Sequence, residues 1–192
     1  MEKNTKKIIT IFLTIFEGIE SKNILRTSIL PTLLSLPNSR LVLLVKNQER
    51  SDYLMREFND PRLAYECVDL LQARGLDKFL ARLKFILLRT ETTDFRRRMM
   101  RQLKQQGKVA YFAGVVLNWF IARSLIRRVV RFIDFTCIRN FAYDSLFDAY
   151  HPDLVVMANL FDEQEIHLLR GAKKRGISTV GFINSWDRLT AR

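Results

Sequence analysis

Short, unbroken apolar runs rich in Ile, Val and Leu alternate along this chain with segments of helical periodicity. A strand covered on both faces has no polar side, so it reads as a continuous run, and this is the mark of a parallel sheet sandwiched between helices. The pattern predicts five strands, over 8–16, 41–45, 63–68, 154–158 and 179–183. Helices are predicted between them. The first covers 21–36, with Ser21 as N-cap and a kink at Pro31, and the second covers 51–58, opened by Ser51. A third covers 161–175, where Ile166, Leu169 and Ala172 recur at helical spacing, acids fill the first turn, bases fill the last, and Gly176 follows as the C-cap glycine. From about 75 to 150 there is no strand signal, only several helices. The expected architecture is therefore one α/β domain, a Rossmann-like parallel sheet of about five strands carrying an extra helical block.

Within that block, Leu76, Phe79, Leu80, Leu83, Ile86 and Leu87 form one apolar face. Further on, Ile121, Leu125, Val129 and Phe132 line a second face, opposite an i, i+4 row of Arg123, Arg127 and Arg131. The apolar faces, with Tyr111, Phe112, Trp119, Phe120 and Phe135, are expected to pack as core.

At 192 residues, with 48% hydrophobic and 27% charged positions, the composition is that of a folded protein and excludes disordered and collagenous classes. The net charge of +12 changes the picture because of where it lies. Residues 71–140 hold 16 basic and 4 acidic side chains, whereas the remainder holds 16 of each. Such a field concentrates phosphates, whether of anionic lipid, nucleic acid or a nucleotide-linked substrate. Arg96, Arg97, Arg98, Arg101 and Lys104, joined by Arg123, Arg127 and Arg131, are the candidate phosphate or membrane contacts.

Cys67 and Cys137 lie far from each other and from His151 and His167, so no zinc spacing is present and reduced cysteines are expected. The opening MEKNTKK followed by IITIFLTIF has too short an apolar run for a signal peptide and ends in EGIE. The longest uncharged stretch, 109–122, has 14 residues, short of the roughly 18–20 that span a bilayer. Peripheral attachment to the inner membrane face remains open to this composition.

In a doubly wound sheet, ligands bind beyond the carboxyl ends of strands where strand order reverses. With order 3-2-1-4-5, that rule selects the connections after the first, fourth and fifth strands. Glu17, Glu20 and Asp162 are the candidate catalytic carboxylates, since crowding and burial raise a carboxylate toward the pKa of a general base. Gly18, Asn159, Asn184, Ser185, Trp186 and Asp187 are the candidate substrate contacts. Glu17 follows the strand end directly and is the favoured base; Glu20 and Asp162 also suit the positive end of a helix. No G-x-G-x-x-G or P-loop occurs, so neither a dinucleotide nor a nucleotide phosphate site is supported, and no cofactor is implied.

The run PDLVVMAN at 152–159, continuing into DEQEIHLLRGAKKRGISTVGFINSWDRLT at 162–190, resembles the close of the N-terminal domain in GT-B-type glycosyltransferase-like proteins of bacterial surface polysaccharide synthesis. Those proteins often carry an SWDNLT-like turn there; Ser185, Trp186, Asp187, Leu189 and Thr190 match it, and Arg188 departs from it. FLTIFEGIESKNILRT at 12–27 and LLRTETTDFRRRM at 87–99 are similar to members of the same group. The resemblance implies two Rossmann-like domains facing a cleft, the N-terminal one taking a sugar or lipid-linked acceptor and the C-terminal one a nucleotide-sugar donor. This chain would be the acceptor half and inactive without its donor-binding partner domain. Sugar-nucleotide epimerases share that architecture and stay open as an alternative, as do a nucleic-acid-binding module and a noncatalytic α/β domain.

Overall fold

The computed structural model describes residues 8–69, 75–87, 91–103, 107–138, 141–160 and 162–183. Five strands, β1 (Ile9–Ile15), β2 (Ser39–Val45), β3 (Leu63–Cys67), β4 (Leu154–Met157) and β5 (Ser178–Gly181), form one sheet in the order β3-β2-β1-β4-β5. Every pairing is parallel, with Ile11 opposite Leu41 on one side and Leu154 on the other. The fold is thus a Rossmann-like α/β sheet, and its order reverses between β1 and β4.

The continuous apolar runs have the physical cause expected of them. Ile11, Leu13 and Ile15 of β1, with Leu41, Leu43 and Val45 of β2, turn to one face and pack on Ile24, Leu25, Leu30 and Leu54. Phe12 and Phe16, with Val42, Leu44, Val155 and Met157, turn to the other and pack on Tyr143, Phe147, Leu168 and Ala172. The first face is covered by α1 (Gly18–Glu20) with the π-helical turn Ser21–Leu25 that continues it, by α2 (Ile29–Ser35) and by α3 (Gln48–Glu57). The second is covered by α8 (Asp144–Tyr150) and α9 (Glu163–Lys174).

Three helix starts differ from expectation. Ser21 lies inside a helical stretch and is no cap, because β1 passes into α1 almost at once and Glu17 stands at the N-cap. Pro31 does not kink a long helix; the chain breaks at 26–28 and Pro31 sits in the first turn of α2, where its missing N–H costs nothing. In α3 the cap is Asn47, whose side chain accepts from the Arg50 N–H at 2.9 Å, while Ser51 is buried in the second turn. The end of α9 is as expected: Gly176 takes φ +70°, a conformation that favours glycine.

Among the described residues, contacts divide the chain into two compact units, one of 8–69 with 141–183 and the other of 75–138. The second holds α4 (Gly75–Ile86), α5 (Glu91–Gln102), α6 (Lys108–Ile121) and α7 (Ser124–Cys137). The last helix of the expected block, α8, belongs instead to the sheet unit, where Phe147 stacks on Phe12 at 5.7 Å between ring centroids. Inside the helical unit, Leu80, Leu87, Val130 and Ile138 are buried together, with Leu83, Ile121 and Ile126 against them. Lys84 Nζ bridges to Asp134 Oδ1 at 2.8 Å, tying α4 to α7, and the Arg101 guanidinium lies 4.8 Å over the Tyr111 ring.

This unit overturns the expectation that its aromatics are core. Phe112, Trp119, Phe120 and Phe132 are 59%, 62%, 58% and 69% exposed, and Leu125 and Val129 face outward with them. The packed face of α7 carries Ile126, Val130 and Ile138, so the expected apolar face of Leu125, Val129 and Phe132 is the outer one. Phe79 and Leu76 of α4 are likewise exposed, while Leu80 and Leu87 are buried as expected.

Candidate functional site

The C-terminal ends of β1 and β4 lead into two connections built to the same plan. After β1, Glu17 caps α1 and Glu20 is its third residue; after β4, Asp162 caps α9 and Glu165 is its third residue. An acid at the cap with glutamate three positions on suits a helix start, because each can accept from N–H groups left without intrahelical partners. Both glutamates turn back toward the strand ends and are fully buried.

Glu20 Oε2 accepts from the N–H groups of Phe16 at 2.5 Å and Glu17 at 2.8 Å. Its other oxygen, Oε1, is buried with no hydrogen-bond partner among the described residues, as is the Ser21 hydroxyl next to it. Glu165 does something different from an ordinary capping-box residue. Its Oε2 accepts from Asn159 N–H at 2.8 Å, in the loop before the cap, and its Oε1 accepts from Thr14 Oγ1 at 2.5 Å. Thr14 Oγ1 in turn accepts from Ala158 N–H at 2.8 Å. One threonine in β1 and one glutamate in α9 therefore lock the end of β4 to its neighbour.

Burial raises the Glu20 carboxyl above its ordinary pKa; its two backbone donors pull the other way, and the charges of Asp162 and Glu17 add to the rise. Burial likewise pushes Glu165 up to about 7, against the hydrogen bonds from Thr14 and Asn159 and with help from the charges of Glu20 and Asp162. Tyr143, buried beside this group, donates its hydroxyl to Gln164 O at 3.2 Å and is raised by burial and by Asp162 and Glu165.

Of the three expected carboxylates, Glu20 lies close enough to Glu17 and Asp162 for the charges of both to act on it. Glu17 is exposed and ion-paired with Lys46, and Arg50 donates to Phe16 O beside it. Glu20 is buried behind it. Asp162 is half-buried and accepts from Gln164 N–H at 2.8 Å, the capping role. Asn159 contributes its backbone to Glu165 and a half-buried side chain to the loop. Gly18 has an ordinary φ, and a Cβ there would meet Arg50 Nη2 at an unremarkable 3.6 Å, so the backbone does not demand glycine.

Asn184, Ser185, Trp186, Asp187 and Lys104 lie outside the described residues, as do the side chains of Arg96 and Arg97. Arg98, Arg101, Arg123 and Arg131 are exposed on the helical unit, and Arg127 is half-buried. No group of three or more His, Cys, Asp or Glu suited to a metal ion occurs among the described residues.

Glu165 and Thr14 were not among the expected site residues. The signal for Thr14 is a hydroxyl near the C-terminal end of a strand whose only other polar side chain is Thr10. For Glu165, the acid-x-x-Glu spacing announced only a helix start. Comparison of the chain with family models, curated proteins and solved structures finds no match.

Proposed function

We propose that this chain is the acceptor-binding half of a glycosyltransferase-like enzyme of cell-surface polysaccharide or glycolipid synthesis, working at the inner membrane face with a separate domain for the nucleotide-sugar donor. One observation carries this reading: at the strand-order reversal the helix starts are capped by the chain's own carboxylates. A Rossmann-like connection that binds phosphate leaves the first N–H groups of its helix free for the anion. Here Asp162 takes the Gln164 N–H in the first turn of α9, and the N–H groups leading into the two helices are taken as well, those of Phe16 and Glu17 by Glu20 and that of Asn159 by Glu165.

A carboxylate-lined position of this kind repels a phosphate and accepts hydrogen bonds from hydroxyls, which is what a sugar offers. Glu17, the exposed member, would receive a hydroxyl proton once an acceptor displaces its ion pair with Lys46. Glu20 fixes the Glu17 backbone, and Glu165 fixes the facing loop. Calorimetric titration with UDP-, GDP- and CDP-linked sugars, and separately with neutral oligosaccharides, tests the assignment. Heat from the neutral sugars, abolished in Glu17→Gln, is the expected result. A micromolar dissociation constant for any nucleotide sugar overturns it.

A further inference from the structure

The helical unit is built inside out along α6. Its inward positions are Tyr111, Gly114, Asn118 and Ile121, and Asn118 is only 5% exposed. Its outward positions include Phe112, Trp119 and Phe120, continued on α7 by Leu125, Val129 and Phe132. Water on such a face is unfavourable by roughly 25 cal/mol for each Å² of apolar surface, so a contiguous face of aromatic and aliphatic side chains marks a contact.

Charge identifies the partner. The block 71–140 carries the whole +12 of the chain, and Arg123, Arg128 and Arg131 are exposed on and beside α7. A second copy of the same unit would bring like charge against like charge. Nucleic acid would satisfy the charge, but stacking platforms set their aromatics among polar side chains, whereas these sit among Val109, Val116, Leu125 and Val129. An anionic bilayer satisfies both requirements, with lipid tails for the apolar face and headgroups for the arginines, whose stems can lie along apolar surface while the guanidinium stays in the polar layer.

Geometry sets the depth. Helix α6 has 14 residues, about 21 Å at 1.5 Å per residue, against a hydrocarbon core about 30 Å thick. No single helix among the described residues is long and apolar enough to cross a membrane; α6 and α7 together meet that test by length and composition, yet they are bent by 97°. A bent pair of this kind suits entry into one leaflet.

We infer that the α6–α7 corner inserts into the headgroup and upper acyl region of an anionic bilayer, anchored by Trp119, Phe120, Leu125 and Phe132 and held by the flanking arginines. This rests on the membrane-face location proposed above and goes further, from adsorption by charge to insertion. The test uses the full chain carrying Trp186→Phe, so that Trp119 is its only tryptophan, with vesicles of phosphatidylcholine and phosphatidylglycerol in 0.1 M and 1 M NaCl. The expected result is a blue-shifted Trp119 emission, quenching by brominated acyl chains, and co-sedimentation that survives 1 M salt. Trp119→Ser with Phe132→Ser, both exposed positions, should weaken partitioning at least about tenfold and make the remainder salt-sensitive. Co-sedimentation at low salt with unchanged Trp119 emission overturns insertion and leaves the membrane-face location standing. No co-sedimentation at either salt overturns both, and a shift on duplex DNA or a dimer in sedimentation equilibrium would then name the true occupant of the face.

Discussion

The sheet unit and the helical unit use the same kinds of side chain in opposite senses. Phe12, Phe16 and Leu43 have almost no exposed surface, while Phe112, Trp119 and Phe132 have most of theirs in solvent. In the first, backbone or hydroxyl partners receive the buried Glu20 Oε2, Glu165 and Thr14. In the second, Asn118 is inside while Phe112, Phe120 and Phe132 are out. Hydrophobicity alone therefore does not say which way a residue points.

The sharpest way to break this comparison is a matched pair of truncations. Phe12→Ala should lower stability in urea unfolding by about 3–5 kcal/mol, since it leaves a cavity between Phe147 and Tyr150, whereas Phe132→Ala should stay within about 0.5 kcal/mol. Equal losses would mean that Phe132 is core after all.

The buried acids of the sheet unit give the next largest effect. Glu165 titrates near 7 when folded and near 4.5 when unfolded, so between those values the folded chain keeps a proton that the unfolded chain has lost. Stability from this group is complete below about pH 4.5, falls as pH rises, and is gone above about pH 7, a total of about 3 kcal/mol at 1.36 kcal/mol per unit. Glu20, also raised, acts with the same sign. Glu165→Gln should flatten most of that slope in unfolding curves between pH 4.5 and 7; an unaltered slope would assign it elsewhere.

The smallest effect probes how tightly α9 packs. A Cβ on Gly171 would lie 2.9 Å from Phe147 Cε2, in a ring already fixed by Phe12 and by the Arg175 guanidinium 4.7 Å from its centroid. Gly171→Ala should cost about 1 kcal/mol net, the crowding outweighing the gain in helix propensity, and thermal unfolding would read it as a midpoint lower by a few degrees. A rise would show that Phe147 yields.

What could be read from the chain divides along the same line. The five strands were legible because a strand buried on both faces is largely apolar, and 8–16 and 41–45 leave no other use for such runs. The order 3-2-1-4-5 was assumed for a doubly wound sheet and is the one the sheet has. The start of α1 was not legible, since Ser21 looks like a cap until β1 is seen to end at Ile15 and hand over to Glu17. That Glu17 and Asp162 each stand at a helix start after a strand end follows from the chain pattern, and their charges both act on Glu20. The role of Glu165 does not follow from it, because its chemistry depends on Thr14, 151 positions away. The outer face of α6 was misread for a physical reason: periodicity marks an apolar stripe but not the medium that it meets.

The order in which the strands occur along the chain has a consequence for how the molecule is made. β1 hydrogen-bonds to β2 on one edge and waits for β4 on the other, and the Thr10 N–H finds its partner in Asp153, 143 positions later. The nascent chain therefore emerges as a three-stranded sheet with an open, strongly apolar edge at β1 while the whole helical unit is still being synthesised. Lengthening a loop tenfold adds only about 2 kcal/mol of closure entropy, so the finished fold tolerates the long excursion. The burden falls on time: until β4 arrives, the unpaired amides of β1 form the surface on which a neighbouring chain can add a strand.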